Sequence, residues 1–213
     1  MEREIINPAN ESVWLGLRVQ DLTSTDIPAL FGMSPYKTKF ELWHEKRSGE
    51  RPAFSVSERM KWGNRLEAVV AEGIAADYGW CVRPMKEYIR IPSLRLGSSF
   101  DYRVNVSGTP TLPPSFDAPG SSLTFWNRDG TIHRAHDTDA DAILEIKTVD
   151  ARAFASGWVI DDDYIEAPAH IELQVQHQML VSGLGLAYIG VLVGGNDVRI
   201  LARSADAPTH AAI

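Results

Sequence analysis

The sequence predicts an α/β (α+β) fold in which a mixed central β-sheet is flanked by helices. The first observation is the order of its hydrophobic patterns, since helix-like and strand-like segments follow one another as α, α, β, β, β, α, β, β. The second observation is size, because 213 residues, 44% of them hydrophobic, suit one domain with a sizeable core. We therefore expect residues 1–213 to form a single domain.

The amino-terminal part of the chain is predicted to form short helices. The polar run 23–26 offers N-cap side chains to a helix that begins at Ile27 and ends near Gly32. A second helix covers Lys39–Lys46, and the pair Ser48-Gly49 marks its end.

A longer helix is predicted to end at Tyr78, where Gly79 follows as a stop. At its start, Ser55 and Glu58 have the Ser-x-x-Glu spacing of a capping box. Glu67 lies on an otherwise apolar stripe of this helix. A carboxylate in such a place is costly unless it meets a cation or hydrogen-bond donors, so Glu67 is a candidate functional residue.

The segments after this helix are strands and one further helix, because they are rich in β-branched and aromatic residues and bounded by turn residues. The predicted strands are Glu87–Ile91, Gly97–Val106, Ala142–Val149, Ala187–Val193 and Val198–Leu201, and the predicted helix is Ala169–Ser182.

The segment 107–140 interrupts this pattern and is predicted to be a loop and hairpin insertion within the domain. It is rich in proline, glycine and serine and has too few apolar residues for a core of its own. Within it, the strand-like runs Leu123–Trp126 and Thr131–His133 flank Asp129-Gly130, a hairpin signal. At the other end of the chain, residues 202–213 are predicted to be a frayed tail.

Composition excludes several classes of protein. No stretch approaches the ~18 apolar residues of a membrane-spanning helix, and the charged start Met1–Glu4 is not followed by the apolar core of a signal peptide. We therefore expect a cytoplasmic protein with no membrane partner. The single cysteine, Cys81, excludes an intramolecular disulfide, a cysteine-rich zinc site and an iron–sulfur cluster held by several thiolates.

Charge is divided unevenly along the chain, although the net charge is −7. Segment 35–65 has eight basic and four acidic residues, whereas segment 135–172 has two basic and ten acidic residues. One interpretation is two solvated faces of opposite sign. The other is a basic surface that meets phosphates and a group of carboxylates that holds cations.

Strand alternation in the predicted strand 142–149 places Leu144 and Ile146 on one face and Glu145 and Lys147 on the other. By itself this Glu-x-Lys is compatible with an ordinary ion pair. Asp101 is a carboxylate on another predicted strand, and strand alternation places its side chain on the other face from its two aromatic neighbours. By itself this position is compatible with a solvent-facing residue.

A helix carboxylate, a strand aspartate and a strand Glu-x-Lys in this order resemble the PD-(D/E)XK nuclease superfamily, and more narrowly the lambda-exonuclease and YqaJ-like viral recombinase family. The resemblance extends roughly from Trp14 to Val193. It consists of six elements in the family's order, namely Trp14–Arg18 with Thr23–Asp26, Leu30–Thr38 with Glu41–Trp43, Trp62–Glu67, Asp101, Glu145–Lys147 and Glu172–Met179.

The resemblance implies a restriction-endonuclease-like PD-(D/E)XK core and a Mg²⁺-dependent DNA exonuclease. Such an enzyme acts 5′→3′ on double-stranded DNA ends in recombination of the phage type. It also implies a phage or prophage origin in a bacterial host, a single-strand annealing protein as a partner, and a homo-oligomer, a trimer in the best-known member. The alternatives are an endonuclease of the same superfamily and a catalytically silent DNA-binding or assembly protein on the same fold.

The resemblance also assigns site residues. Lys147 orients and stabilises the attacking water, and Gln174 hydrogen-bonds within the site. Mg²⁺, for which Mn²⁺ is expected to substitute, has as its ligands Glu67, Asp101, Glu145 and the main-chain carbonyl of Ile146. No zinc is expected, since His133 and His136 have no fourth ligand nearby in the sequence.

A second set of residues is assigned to a 5′-terminal phosphate, because a guanidinium fork and hydroxyl donors suit its oxygens. These residues are Arg18, Ser24 and Thr25, although a surface salt bridge is the ordinary alternative for Arg18. The chain departs from the family pattern at Tyr102, where glycine is usual, and in the long gap from Asp101 to Glu145.

Overall fold

The computed structural model describes residues 1–49, 56–105, 124–126, 132–134, 141–161 and 164–213. It confirms the predicted α+β class, with mixed sheets flanked by helices. The strands are β1 (Glu4–Ile6), β2 (Leu22–Thr23), β3 (Cys81–Pro84), β4 (Tyr88–Ile91), β5 (Leu96–Ser98), β6 (Tyr102–Asn105), β7 (Thr124–Trp126), β8 (Ile132–Arg134), β9 (Asp141–Val149), β10 (Val159–Asp161), β11 (Tyr164–Glu166), β12 (Leu186–Val193) and β13 (Asp197–Ser204). The helices are α1 (Glu11–Gln20), α2 (Ile27–Leu30), α3 (Lys39–Ser48), α4 (Glu58–Tyr78), α5 (Ala151–Gly157), α6 (Ala169–Ser182) and α7 (Ala207–Ala212).

A central sheet with the order β13-β12-β9-β6-β3 carries the long strands. β9 and β12 are parallel, with Glu145 opposite Ile189, and the other pairs in this sheet are antiparallel. The five residues 142–146 are all buried, as expected for a strand covered on both faces. A second sheet has the order β1-β4-β5-β2.

The two faces of the central sheet pack against different helices. Leu144 and Ile146 share a buried cluster with Val70 and Ile74 of α4. A Cβ added to Gly190 of β12 would lie 2.6 Å from Ile74 Cδ1, so glycine permits the close approach of α4 to the sheet. The other face packs on α6, which leaves Glu145 and Lys147 on the α6 side.

The sequence places the start of α4 at the wrong serine. Ser57 is the N-cap, and its hydroxyl accepts a hydrogen bond from the Met60 amide at 3.3 Å. Ser55 lies outside the described residues. The predicted end is confirmed, since Gly79 has a left-handed φ of +65° and closes the helix.

The predicted strand Gly97–Val106 is wrong as a single strand. β5 pairs with β4 and β2 in the second sheet, whereas β6 pairs with β9 and β3 in the central sheet. The chain changes sheets between Ser99 and Asp101, where Phe100 is buried in the core. Alternation within one strand therefore does not set the direction of the Asp101 side chain.

Only the paired strands of the insertion 107–140 are described. β7 and β8 are antiparallel, with Phe125 opposite His133, which confirms the predicted hairpin pairing. The turn Asp129-Gly130 and the remaining predictions for this segment lie outside the described residues.

The predicted tail 202–213 is not a tail in the structure, because β13 continues to Ser204 and α7 follows it. The Gln176 side chain of α6 holds this segment, donating to the Ser204 carbonyl and accepting from the Asp206 amide, both at 2.9 Å. Ile213 packs against the main core. Among the described residues, no helix combines the length and hydrophobicity that a membrane span requires.

Candidate active site

Glu145 and Lys147 lie side by side on β9, as strand alternation predicts. The Lys147 ammonium is 2.5 Å from Glu145 Oε1. The Glu145 residue is only 3% exposed, so its charge is stabilised by protein groups rather than by water. This buried carboxylate is the centre of the candidate site.

Two glutamines one turn apart on α6 complete the surroundings of Glu145. The Gln174 amide donates to Glu145 Oε1 at 2.5 Å, and its carbonyl oxygen accepts from Lys147 at 3.2 Å. The Gln178 amide donates to Glu145 Oε2 at 2.7 Å and approaches the Ser99 carbonyl at 3.4 Å. Gln178 is not among the site residues predicted from the sequence, although its i+4 spacing from Gln174 places both amides on one face of a helix.

Asp101 joins the site from the crossing between β5 and β6. Its Oδ2 accepts a hydrogen bond from the Ile146 amide at 2.9 Å. Burial and the negative charge of Glu145 raise the pKa of Asp101 well above its usual value, although Lys147 and the Ile146 bond oppose this rise. The site therefore holds more negative charge than Lys147 alone compensates.

Glu67 approaches the same charges from α4. Burial and the charge of Glu145 raise the pKa of Glu67, whereas Lys147 and the Tyr102 hydroxyl lower it. Tyr102, the departure from the family pattern, is itself buried in the cluster that packs on α4.

Lys147 is charged at neutral pH. Burial by itself lowers the pKa of an ammonium, but the negative charges of Glu145 and Asp101 outweigh it, and the pKa of Lys147 is raised. Lys147 is thus a hydrogen-bond donor and a positive charge, and it is not a neutral base.

The donor set suits a hard divalent cation. Among the described residues, no three acidic, histidine or cysteine side chains are close enough to form a ready-made metal cluster. The groups that do converge on Glu145 offer carboxylate oxygens and carry excess negative charge, which is the chemistry that Mg²⁺ prefers. The residues therefore fit such an ion by donor chemistry.

Arg18 and Thr25 lie together, as the phosphate assignment requires. The Arg18 guanidinium donates to the Thr25 hydroxyl at 3.0 Å and lies over the Trp14 ring, 4.8 Å from its centroid. Thr25 is exposed, whereas Ser24 is only 3% exposed. The Trp14 indole also donates to Ser99 Oγ at 2.7 Å, and the Ser99 carbonyl faces Gln178, so this region adjoins the Glu145 site.

A buried ionic group supports the turn that carries Thr25. The Lys46 ammonium bonds the carbonyls of Arg18 and Asp21 at 2.6 and 2.7 Å and pairs with Asp26 at 2.7 Å. Lys37 pairs with Asp26 as well, at 3.3 Å. Burial opposes ionisation of Asp26, but Lys46, Thr23 and Lys37 outweigh it and lower its pKa to about 2.

Solved structures share this fold. The alkaline exonuclease LHK-Exo of Laribacter hongkongensis superposes with a TM-score of 0.58 at 14% identity, covering 94% of this chain and 86% of that chain. The crystal structure of LHK-Exo in complex with dAMP gives a TM-score of 0.59 at the same identity and coverage. At this identity the likeness concerns the fold alone.

The family follows from the sequence. The profile of the YqaJ-like viral recombinase domain matches residues 13–185, and the chain belongs to this family, which confirms the resemblance. The uncharacterized protein YqaJ of Bacillus subtilis (strain 168) is 29% identical over 185 residues, or 86% of this chain. Since the match covers 46% of that protein, the chain spans about half the length of this curated relative.

Proposed function

We propose that this chain is a metal-dependent DNA nuclease, and more narrowly a Mg²⁺-dependent exonuclease that acts 5′→3′ on double-stranded ends. The observation that carries the proposal is the buried Glu145, bonded by Lys147, Gln174 and Gln178 beside a second, half-buried carboxylate, Asp101. Membership of the YqaJ-like recombinase family and the alkaline exonuclease fold support it. The family also supports a role in recombination, where an annealing protein takes up the strand that remains.

The proposed metal ligands are Asp101, Glu145, Glu67 and the main-chain carbonyl of Ile146. A bound divalent ion supplies positive charge to the phosphate and lowers the pKa of the attacking water. The raised pKa values of Asp101 and Glu67 support this assignment, because a divalent cation would relieve the repulsion between these carboxyl groups and Glu145.

Lys147 is proposed to orient the attacking water and to stabilise its deprotonated form. Its raised pKa keeps the ammonium charged, so it donates a hydrogen bond and its charge favours hydroxide over water. A protonated lysine has no free lone pair, so Lys147 itself does not accept the proton of the water.

The two α6 glutamines are proposed to position Glu145 and Lys147. Gln174 bonds both side chains, and Gln178 holds the second oxygen of Glu145. Fixing the carboxylate in one rotamer reduces the reorganisation needed when a metal and a phosphate bind.

The 5′-terminal phosphate is proposed to bind at Arg18 and Thr25, with Ser24 as the third predicted contact. The Arg18 fork and the exposed Thr25 hydroxyl already lie within 3.0 Å of each other. Charge-assisted bonds from a guanidinium to phosphate oxygens favour a phosphorylated end over a hydroxyl end.

Three duplex substrates of the same sequence test this function: a linear duplex with 5′ phosphates, the same duplex with 5′ hydroxyls, and a closed circle. With Mg²⁺ we expect rapid loss of the first, slower loss of the second and no cleavage of the circle, and with EDTA no loss of any. Cleavage of the circle would show an endonuclease instead of an exonuclease. No cleavage of any substrate would support a catalytically silent DNA-binding protein.

Two variants test the phosphate assignment. Arg18→Ala should remove the difference between phosphorylated and hydroxyl ends, because it removes the guanidinium. Arg199→Ala is the matched control, since Arg199 is an exposed arginine paired with Asp197 at the β12–β13 turn. Equal rates on both ends with the wild-type protein would contradict the phosphate site.

A further inference from the structure

Helix α3 presents an exposed stripe of aromatic and basic side chains. Phe40 is 72% exposed and Trp43 is 52% exposed, and their rings stack with centroids 6.1 Å apart and an interplanar angle of 28°. The Arg47 guanidinium lies over the Trp43 ring, 5.0 Å from its centroid. These residues follow one another at i, i+3 and i+7, so the stripe runs along one face of the helix.

A cavity of about 330 Å³ adjoins this stripe. Its walls are apolar and its remaining lining is cationic, consisting of Leu22, Leu30, Leu42 and Trp43 with Lys39, Lys46, Arg47 and Arg95. The volume lies at the lower end of the roughly 300–1,000 Å³ of small-ligand sites, which suits a single base with its sugar.

Part of the positive charge of this surface has no paired carboxylate among the described residues, although Lys46 pairs with Asp26. The Glu41 carboxylate of α3 caps the helix by accepting from Thr38, and Glu45 is buried against Lys37 at 2.5 Å. Neither Lys39 nor Arg47 forms an ion pair with any residue that the structure describes. The basic segment 35–65 of the sequence therefore includes an exposed cationic and aromatic face.

We propose that this α3 surface, formed by Phe40, Trp43, Arg47 and the adjoining cavity, binds single-stranded DNA by stacking on its bases. Aromatic faces with cations beside them bind single strands without sequence preference, since every base has a stackable face and every phosphate a negative charge. Bases within a duplex are stacked on each other and do not offer these faces. Charge complementarity favours a nucleic acid over an apolar protein segment.

This inference goes beyond the proposed nuclease activity and does not depend on it. The α3 surface excludes the residues assigned to cleavage and to the 5′ phosphate. Binding is therefore measured without metal, and a catalytically silent protein would still show it.

The experiment measures fluorescence anisotropy of labelled oligothymidylate with a 5′ hydroxyl, in EDTA, against an abasic strand of the same length. The abasic strand has the same phosphate charge but no bases, so the wild-type protein should bind it roughly five-fold or more weakly. Trp43→Ala should weaken binding of oligothymidylate by roughly 5- to 100-fold and leave binding of the abasic strand almost unchanged. Trp43→Phe should keep most of the affinity, since it keeps a ring.

Charge is tested separately. Arg47→Ala should weaken binding of both strands, whereas Arg199→Ala, which removes the same charge elsewhere, should change neither. If the wild-type protein bound oligothymidylate and the abasic strand with equal affinity, the proposal would be overturned. This comparison uses only the wild-type protein, so it does not depend on whether a variant folds. Light scattering in which Trp43→Ala dissociates an oligomer without losing DNA affinity would also overturn it, since the surface would then be a protein interface.

Discussion

Glu145 shows how single residues define the candidate site. Each of its carboxylate oxygens accepts a hydrogen bond from a different glutamine, and Lys147 adds a charge-assisted bond. These three bonds fix the position of the carboxylate before any ligand arrives. The neighbouring Asp101 has less compensation, because Glu145 and Glu67 both repel its charge.

Asp101→Asn tests this imbalance through stability. The neutral amide of asparagine removes a repulsive charge and keeps an oxygen for the Ile146 amide. The melting temperature of the Asp101→Asn protein in EDTA should therefore be higher than that of the wild-type protein. When Mg²⁺ is present at ~100 times its dissociation constant, the free energy of unfolding of the wild-type protein should rise by about 2.7 kcal/mol. This corresponds to an upward shift of roughly 5–11 °C for a domain of this size, measured by differential scanning fluorimetry. In Asp101→Asn the shift on adding Mg²⁺ should be smaller. If this variant instead melted below the wild-type protein in EDTA and kept the full Mg²⁺ shift, Asp101 would have only a structural role.

Gln178→Ala tests the positioning of Glu145. Losing a bond to a buried charge costs about 1.5–3 kcal/mol, and loss of such a supporting bond typically lowers activity roughly 10- to 100-fold. We expect turnover to fall with little change in DNA affinity. Gln176→Ala is the matched control on the same helix, because the Gln176 side chain bonds the main chain of Ser204 and Asp206. Gln176→Ala should lower the melting temperature and leave turnover per folded molecule unchanged. Turnover by Gln178→Ala equal to that of the wild-type protein would contradict the positioning role of Gln178.

At the scale of elements, buried ionic contacts join α1, α2 and α3. Lys46 of α3 bonds the carbonyls at the end of α1 and pairs with Asp26 at the start of α2. This group lies beneath Arg18 and Thr25, so the geometry of the proposed phosphate site depends on the docking of α3.

Asp26 gives the stability a defined pH dependence. Its folded pKa is about 2 against a usual 3.8, so its contribution is present above pH ~4 and is lost as the pH falls towards 2. At 1.36 kcal/mol per pKa unit this loss amounts to about 2 kcal/mol. Urea unfolding should show that Asp26→Asn has a lower free energy of unfolding than the wild-type protein at pH 6. This difference should become smaller as the pH is lowered to 2.5. Parallel curves for the two proteins would rule out this ionic contribution.

The start of α4 is tested by a pair of serines. Ser57→Ala should lower the unfolding free energy by about 1 kcal/mol, because it removes the acceptor of the Met60 amide. Ser55→Ala should have no effect of this size. Chemical denaturation of both variants gives the comparison, and the reverse order of effects would place the cap at Ser55.

Local pattern predicts some of these elements well and others poorly. β9 and α6 are long and regular, and strand alternation by itself places Glu145 beside Lys147. The cap of α4 depends on a choice between two serines with similar local sequence. α7 depends on Gln176 across the fold, and the direction of Asp101 depends on a change of sheet at Phe100. These contacts between distant residues leave little trace in local sequence.

In the molecule as a whole, the central sheet holds the candidate site between groups that come from both of its faces. α4 closes one face with an apolar cluster, while α6 places two glutamines against the polar side of β9. Glu67 and Asp101 approach from α4 and from the crossing between the two sheets. The proposed activity therefore requires the complete fold and not one motif.

Lys147 is proposed to serve the chemical step of metal-dependent DNA cleavage. The most direct measurement is the rate of digestion of a linear 5′-phosphorylated duplex by wild-type protein and Lys147→Ala, each with Mg²⁺ and with EDTA, beside duplex affinity in EDTA. We predict digestion by the wild-type protein only with Mg²⁺, and a loss of at least ~100-fold in Lys147→Ala with affinity kept within a few fold. Wild-type turnover by Lys147→Ala would contradict the catalytic role of Lys147, and digestion in EDTA would contradict the metal dependence.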